Sequence, residues 1–293
     1  MKRVTVKGGV RKSRSQWEEA WRRLKKDKYA MVGLYILILM ILAAVFAGFI
    51  VDYETDVISQ NLGNRMQSPS REHIFGTDAF GRDIFARILY GSRVSLFIGI
   101  FATVASLVIG SAFGAIAGYF GRHADNIIMR ITDMFLAIPT ELMAIAVVAA
   151  MGPGLVNLVI AIIVSFIPPY ARLMRSLVLT IKDNEYVEAA KAIGARDDRI
   201  LLMHILPNVM GPLLVQSTLT VGRIIIIAAG LSFLGLGVTP PSPEWGAMLN
   251  EGKEFIRHSP YMVLFPGLAI MLVVLALNIL GDGLNDALDP RLK

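Results

Sequence analysis

Long apolar runs separated by short polar stretches set the pattern of the chain. Six such runs lie near Tyr29–Val51, Val94–Tyr119, Ile127–Ala150, Leu155–Ala171, Val209–Leu236 and Tyr261–Leu280. A helix needs about 20 residues to cross the hydrocarbon core of a bilayer. The runs are continuously apolar rather than alternating, so they predict membrane helices and not a barrel. The fourth run is the shortest and is expected to end at Pro168-Pro169. Between the fourth and fifth runs lies a polar, helix-prone island, Glu185–Asn208. Ala189, Ala190 and Ala192, with Glu188 and Lys191 among them, are good helix formers. Gly194 permits a turn, and Asp197 and Asp198 suit the first turn of a second helix. Ile200, Leu201 and Leu202 carry that helix back toward the membrane, and Pro207 marks the start of the fifth span. The expectation is a short helix-turn-helix at the membrane surface. Physics alone leaves two readings: an amphipathic loop resting on lipid headgroups, or a segment gripped by another protein.

Composition agrees with the pattern. Of 293 residues, 55% are hydrophobic and 18% charged, as a multi-span membrane protein requires. There is no cysteine, which excludes disulfides and thiol chemistry. His73, His123, His204 and His258 are far apart, and no HExxH or paired-Cys spacing supports a metal site. The fold class expected is therefore an all-α polytopic membrane protein with six transmembrane helices.

The net charge of +6 is unevenly placed. Eleven of the 29 Lys and Arg residues fall within residues 1–28. Arg122 and Arg130 follow the second span, and Arg172, Arg175, Lys182, Lys191, Arg196 and Arg199 follow the fourth. Arg291 and Lys293 end the chain. The inside rule then puts both termini on the cytoplasmic side. The basic N-terminus reads as a topology signal and a surface for anionic lipid; nucleic-acid binding is not needed to explain it. Val45-Phe46-Ala47 resembles a cleavage site, but the charged region before it is too long for a signal peptide, so the first span is read as an uncleaved anchor. The expected organisation is a basic tail with the first span (residues 1–65), an external segment (66–93) and a five-span core (94–293) that contains the polar island.

The island also carries a resemblance. Glu188-Ala189-Ala190, three residues, Gly194, nine residues and then a hydrophobic-Leu206-Pro207 ending resembles the EAA loop of the permeases of binding-protein-dependent ABC importers. The general pattern has isoleucine where this chain has His204, and peptide-type permeases look similar at that point. Phe75-Gly76-Thr77-Asp78 with Gly81-Arg82-Asp83, and Tyr90-Gly91-Ser92-Arg93-Val94-Ser95-Leu96, look like the external stretch of dipeptide/oligopeptide/nickel permeases of the C type. Leu231–Gly237 with Pro241, Pro243 and Trp245-Gly246 is similar to the loop after their fifth span. Gly281–Arg291 resembles their C-terminal tail. The resemblance runs from about Trp17 to the end.

The resemblance implies a type I ABC importer permease architecture in a prokaryotic plasma (inner) membrane. It implies a second homologous permease in a heterodimer, two ABC ATPase subunits that bind ATP and Mg, and an external solute-binding protein. It further implies that the EAA loop, with Glu185, Glu188, Ala189, Ala190, Gly194, Leu206 and Pro207, docks in a cleft of the ATPase. A small peptide is the expected cargo; nickel, glutathione or another small solute remains open. The chain itself has no G-x-x-x-x-G-K-[ST], since Gly8–Ser13 has the wrong glycine spacing. It is therefore expected to hold no cofactor and no catalytic residue. An ion-coupled secondary transporter is the remote rival, disfavoured by the island and by few membrane carboxylates.

Gly110, Gly114 and Gly118 form overlapping small-xxx-small repeats, expected to pack helices within the chain or at a subunit interface. Glu141 and Arg223 are ionisable residues near expected mid-membrane depth. A charge there costs roughly 2.5–3.5 kcal/mol on insertion scales. Each therefore needs a partner or a wet pathway, and a mutual structural pair and a lining of the translocation path both fit. Asp133, nearer the end of its run, is expected to meet the interface.

Overall fold

The computed structural model describes residues 16–288. The basic residues Lys2–Arg14 and the tail from Asp289 to Lys293 lie outside them. The described chain is helical apart from its loops. Helix α1 (Gln16–Leu24) leads into α2 (Lys28–Ile50). Asp27 stops the first and starts the second, its side chain accepting from the amides of Tyr29 at 2.9 Å and Ala30 at 3.2 Å. A segment with a π-helical stretch (Tyr53–Ile58) and a 3-10 turn (Leu62–Asn64) then leads to α3 (Ile84–Phe120). This helix begins ten residues before the expected second span and is 37 residues long. Asp83 caps it by accepting from the Ala86 amide at 2.9 Å.

Two expectations about spans are corrected here. The third run is not one helix. It divides into α4 (Arg122–Leu136) and α5 (Thr140–Met151), which meet at 86°. Pro139 sits at the break; it has no N–H to continue the ladder and keeps Ile138 out of the helical region. Among the described residues five helices are thus long and apolar enough to cross a membrane, with a sixth span only if the bent pair is one. The fourth run, in contrast, does not stop at Pro168-Pro169. Helix α6 (Leu155–Ile181) runs through both prolines, which places Arg172 and Arg175 on a helix rather than in a loop. Helix α3 packs along it through its glycines. A Cβ on Gly110 would lie 2.6 Å from the Ile167 carbonyl oxygen, and one on Gly118 2.9 Å from the Val178 Cβ. Gly114 meets the Ala171 carbonyl oxygen as closely. The small residues let the two backbones touch.

The polar island forms α7 (Glu185–Ala192), a turn at Gly194 and a short helical start, α8 (Asp197–Arg199). The expected second helix does not stand alone. A π-helical turn (Ile200–Ile205) joins α8 to α9 (Leu206–Phe233), and the whole stretch Asp197–Phe233 runs on as one candidate span. Pro207 falls in the first turn of α9, directly after the π-helical turn. The chain then makes α10 (Trp245–Gly252) and α11 (Tyr261–Leu288). Buried apolar side chains of α3, α5, α6 and α9 form one core around Ile98, Leu158, Ile162 and Ile224. A second core joins α2, α3, α10 and α11 around Ile84, Trp245 and Val273.

One end of the bundle is a cap made by the segment before α3 and the region around α10. Arg82 Nε and Nη2 each lie 2.6 Å from a carboxylate oxygen, of Asp78 and Glu251 respectively. Arg87 Nη2 lies 3.1 Å from the same Glu251 oxygen. Both arginines are almost fully buried. Glu244 caps α10, accepting from the amides of Gly246 at 2.9 Å and Ala247 at 2.8 Å. Burial pushes its carboxyl above the usual range, against the pull of those amides. Ser95 donates to Glu244 at 3.3 Å, and its hydroxyl accepts from the Trp245 amide at 3.3 Å. Motifs far apart in sequence therefore meet here, and they do so as structure.

Candidate coupling loop and translocation cavity

The end of the bundle opposite the cap carries the loop. Helix α7 stops in a Schellman turn: the Ala195 amide donates to the Ala190 carbonyl at 3.0 Å, and the Gly194 amide to the Lys191 carbonyl at 3.0 Å. Gly194 has φ +80°, a left-handed conformation that glycine adopts without penalty. Ala190 and Ala195 pack in the same apolar cluster, as this turn favours. The cluster also buries Val187, Ile200 and Ile205, pinning both arms of the loop to α6 and α9.

The other face of the loop is open. Glu185, Glu188 and Ala189 are exposed, as are Gly194 and Pro207, whereas Ala190 is buried and Leu206 half-buried. The EAA positions therefore divide: Ala190 serves the inner core while Glu188 and Ala189 face outward. Large apolar side chains of the same segment are exposed as well. Ile193 is 85% exposed, and Leu202 and Met203 are 63% exposed. Sequence reasoning did not single out Ile193 and Met203, and read Leu202 only as part of the helix returning to the membrane.

A cavity of about 640 Å³ opens between the last turn of α4 and helices α6 and α9, lined by Leu136, Phe166, Tyr170, Arg172, Ser176, Gln216, Thr220 and Arg223 among others. Arg223 Nη2 lies 2.9 Å from Glu141 Oε1, and the two side chains are 57% and 51% exposed. Arg223 also lies over the Phe166 ring, 5.7 Å from its centroid. The two sequence candidates are thus brought together, and they are paired and open at once. Glu141 stands in the first turn of α5, where the helix dipole favours a carboxylate. A second pair repeats the arrangement on the other side of the Pro139 break: Arg172 Nη2 lies 2.5 Å from Asp133 Oδ1, 56% and 61% exposed. This pair was missed because α6 was expected to end before Arg172. Among the described residues no group of acidic or histidine side chains could hold a metal ion. The wall presents two guanidiniums, each paired with an exposed carboxylate, together with hydroxyl and amide groups.

Residues 110–293 match the model of the binding-protein-dependent transport system inner membrane component. Residues 15–69 match the N-terminal TM domain of oligopeptide transport permease C. The chain is 51% identical over 279 residues to the dipeptide transport system permease protein DppC of Alkalihalophilus pseudofirmus, covering 95% of this chain and 91% of that one. It is 46% identical over 280 residues to the glutathione transport system permease protein GsiD of Pectobacterium atrosepticum, covering 96% and 93%. An inward-facing structure of the MetNI methionine ABC transporter superposes with a TM-score of 0.58 at 18% identity, over 70% of this chain and 98% of that one, a likeness of fold. With the family matched over most of its length, the chain belongs to the binding-protein-dependent transport system inner membrane components, as a non-catalytic permease subunit of an ABC importer in the inner membrane.

Proposed function

We propose that this chain is one half of the transmembrane channel of an ATP-driven importer of dipeptides or oligopeptides. The observation that carries the reading is the open face of the loop: Ile193, Leu202 and Met203 are exposed, as are Glu188 and Ala189, on a segment whose inner face is pinned to the bundle. Apolar side chains held out in this way suit a protein cleft. In this reading both termini and the loop are cytoplasmic, and an ATPase subunit grips the loop. A second permease completes the channel, a second ATPase sits beneath it, and an external binding protein delivers cargo. ATP and Mg are bound by the ATPases alone. Nucleotide shifts the equilibrium between inward- and outward-facing states by binding them with different affinity.

The cargo assignment is supported by two arginines of the cavity wall, Arg223 and Arg172, each in an open ion pair, with Glu141 and Asp133 respectively. An ammonium and a carboxylate on one small solute can exchange partners with such pairs. Glutathione is the second reading, favoured by the 46% identical relative. The test of the docking role is a cross-link from Ala189→Cys or Ala192→Cys to the ATPase subunit in the assembled complex, with and without ATP. The chain has no other cysteine, so the label is unique. A nucleotide-sensitive cross-link is expected; none at either position, with the complex intact, would return the loop to a surface amphipath.

A further inference from the structure

We propose that Tyr119 is the positioning residue that joins the coupling loop to the cavity wall, binding both arms of the loop to the end of α3. The inference rests on the docking role of the loop proposed above. Tyr119 is the second-last residue of α3. Its hydroxyl donates to Asp197 Oδ1 at 2.6 Å. Lys191 Nζ lies 5.5 Å from the centroid of its ring. Lys191 ends the first arm of the loop and Asp197 begins the second, with the Gly194 turn between them. One side chain thus spans the turn and contacts the loop on both sides of it.

What lies beyond Tyr119 gives the contact its consequence. Gly121, at φ +59°, turns the chain from α3 into α4. Helix α4 meets α6 at two ion pairs. Asp125 receives two bonds from Arg175, at 2.5 and 2.6 Å, and Asp133 pairs with Arg172. Past the Pro139 break, Glu141 pairs with Arg223 on α9. The second arm of the loop continues directly into α9, which carries Gln216, Thr220 and Arg223 to the cavity. The loop therefore reaches the cavity by two routes, one along α9 and one through Tyr119, α3 and α4. The π-helical turn Ile200–Ile205 lies on the first route. The Tyr119 contacts hold the two routes in register, so that a displacement of the loop moves both walls and not α9 alone. A bistable element that both sites bias is the physical requirement for such coupling.

The test uses the complete complex, with its partner permease, ATPases and binding protein, reconstituted in liposomes. It reads ATP hydrolysis and cargo uptake together, and the cross-link from Ala189→Cys to the ATPase in parallel. Tyr119→Phe keeps the ring beneath Lys191 and removes only the bond to Asp197. Asp197→Asn weakens the same bond from the other side, which guards against a folding defect peculiar to one variant. Each is expected to lower uptake per ATP hydrolysed by about three- to tenfold, the range of one net hydrogen bond at an exposed position. The cross-link is expected unchanged, and the double variant no worse than either single one, as for residues acting through one contact. A purely structural tyrosine would lower assembly and hydrolysis together and leave the ratio alone. An unchanged ratio in both variants, with the cross-link present, overturns the tyrosine joint and leaves the docking role standing. Loss of the cross-link in the otherwise unsubstituted loop overturns the docking role and the joint with it.

Discussion

The two ends of the bundle use the same residue types to opposite effect. At the cap, Asp78, Arg82, Arg87 and Glu251 are closed in on one another, and both arginines are buried. At the cavity, Glu141 with Arg223 and Asp133 with Arg172 are each more than half exposed. A buried charge that loses its partner has no water to fall back on, so the cap holds one arrangement. An exposed pair gives up little when it opens, because solvent replaces the partner. The cap is therefore built to stay as it is, and the cavity wall to exchange partners. Both are ion pairs in a membrane protein; burial alone separates a clamp from a contact that a passing solute can open.

The sharpest way to break this comparison is to remove one member of the buried group. Arg87→Met leaves Glu251 with one guanidinium instead of two, and is expected to cost about 3–5 kcal/mol. The expected result is a large fall in the yield of folded protein after detergent extraction and a clear drop in its unfolding temperature. Stability equal to the parent would mean that the cap is not locked by charge. The loop gives a smaller effect of another kind. Gly194→Val meets no neighbouring atom within 4 Å, yet it forces a branched side chain into positive φ. The strain is about 1–2 kcal/mol, confined to the turn. The protein should reach the membrane in normal amount while ATP hydrolysis and uptake come apart; full transport by this variant would remove Gly194 from the coupling contact. The smallest stability effect is expected at the cavity. Arg223→Gln and Glu141→Gln should each shift stability by under about 1 kcal/mol, with normal assembly and altered uptake. If either abolishes assembly, the pair is a clamp like the cap, and the contrast between the two ends fails.

Much of this was legible along the chain because it depends on local chemistry. Helix α7 follows from its alanines, and the turn from Gly194, which occupies the one position after the helix that needs positive φ. The outward aim of Glu188 and the inward aim of Ala190 follow from helical spacing once a core is present to bury Ala190. The exposed Ile193, Leu202 and Met203 could have been read from apolar residues in a polar island. The Tyr119–Asp197 contact could not, since 78 residues separate its partners. Nor could the Arg172–Asp133 pair, because it depends on a helix continuing past two prolines.

By itself the sequence determined that this is a helical membrane chain, where its apolar runs lie, and that one polar loop between them is built as helix, glycine turn and helix. Those features are set by hydropathy, helix propensity and backbone freedom, which act within a few residues. Only the tertiary structure decided what each proline does. Helix α6 continues through Pro168 and Pro169 where α3 lies against it through Gly110, Gly114 and Gly118. Pro139 ends α4 and turns the chain by 86°. The lost hydrogen bond is the same in each case; whether the helix survives it depends on the packing alongside, and no stretch of sequence states its own neighbours.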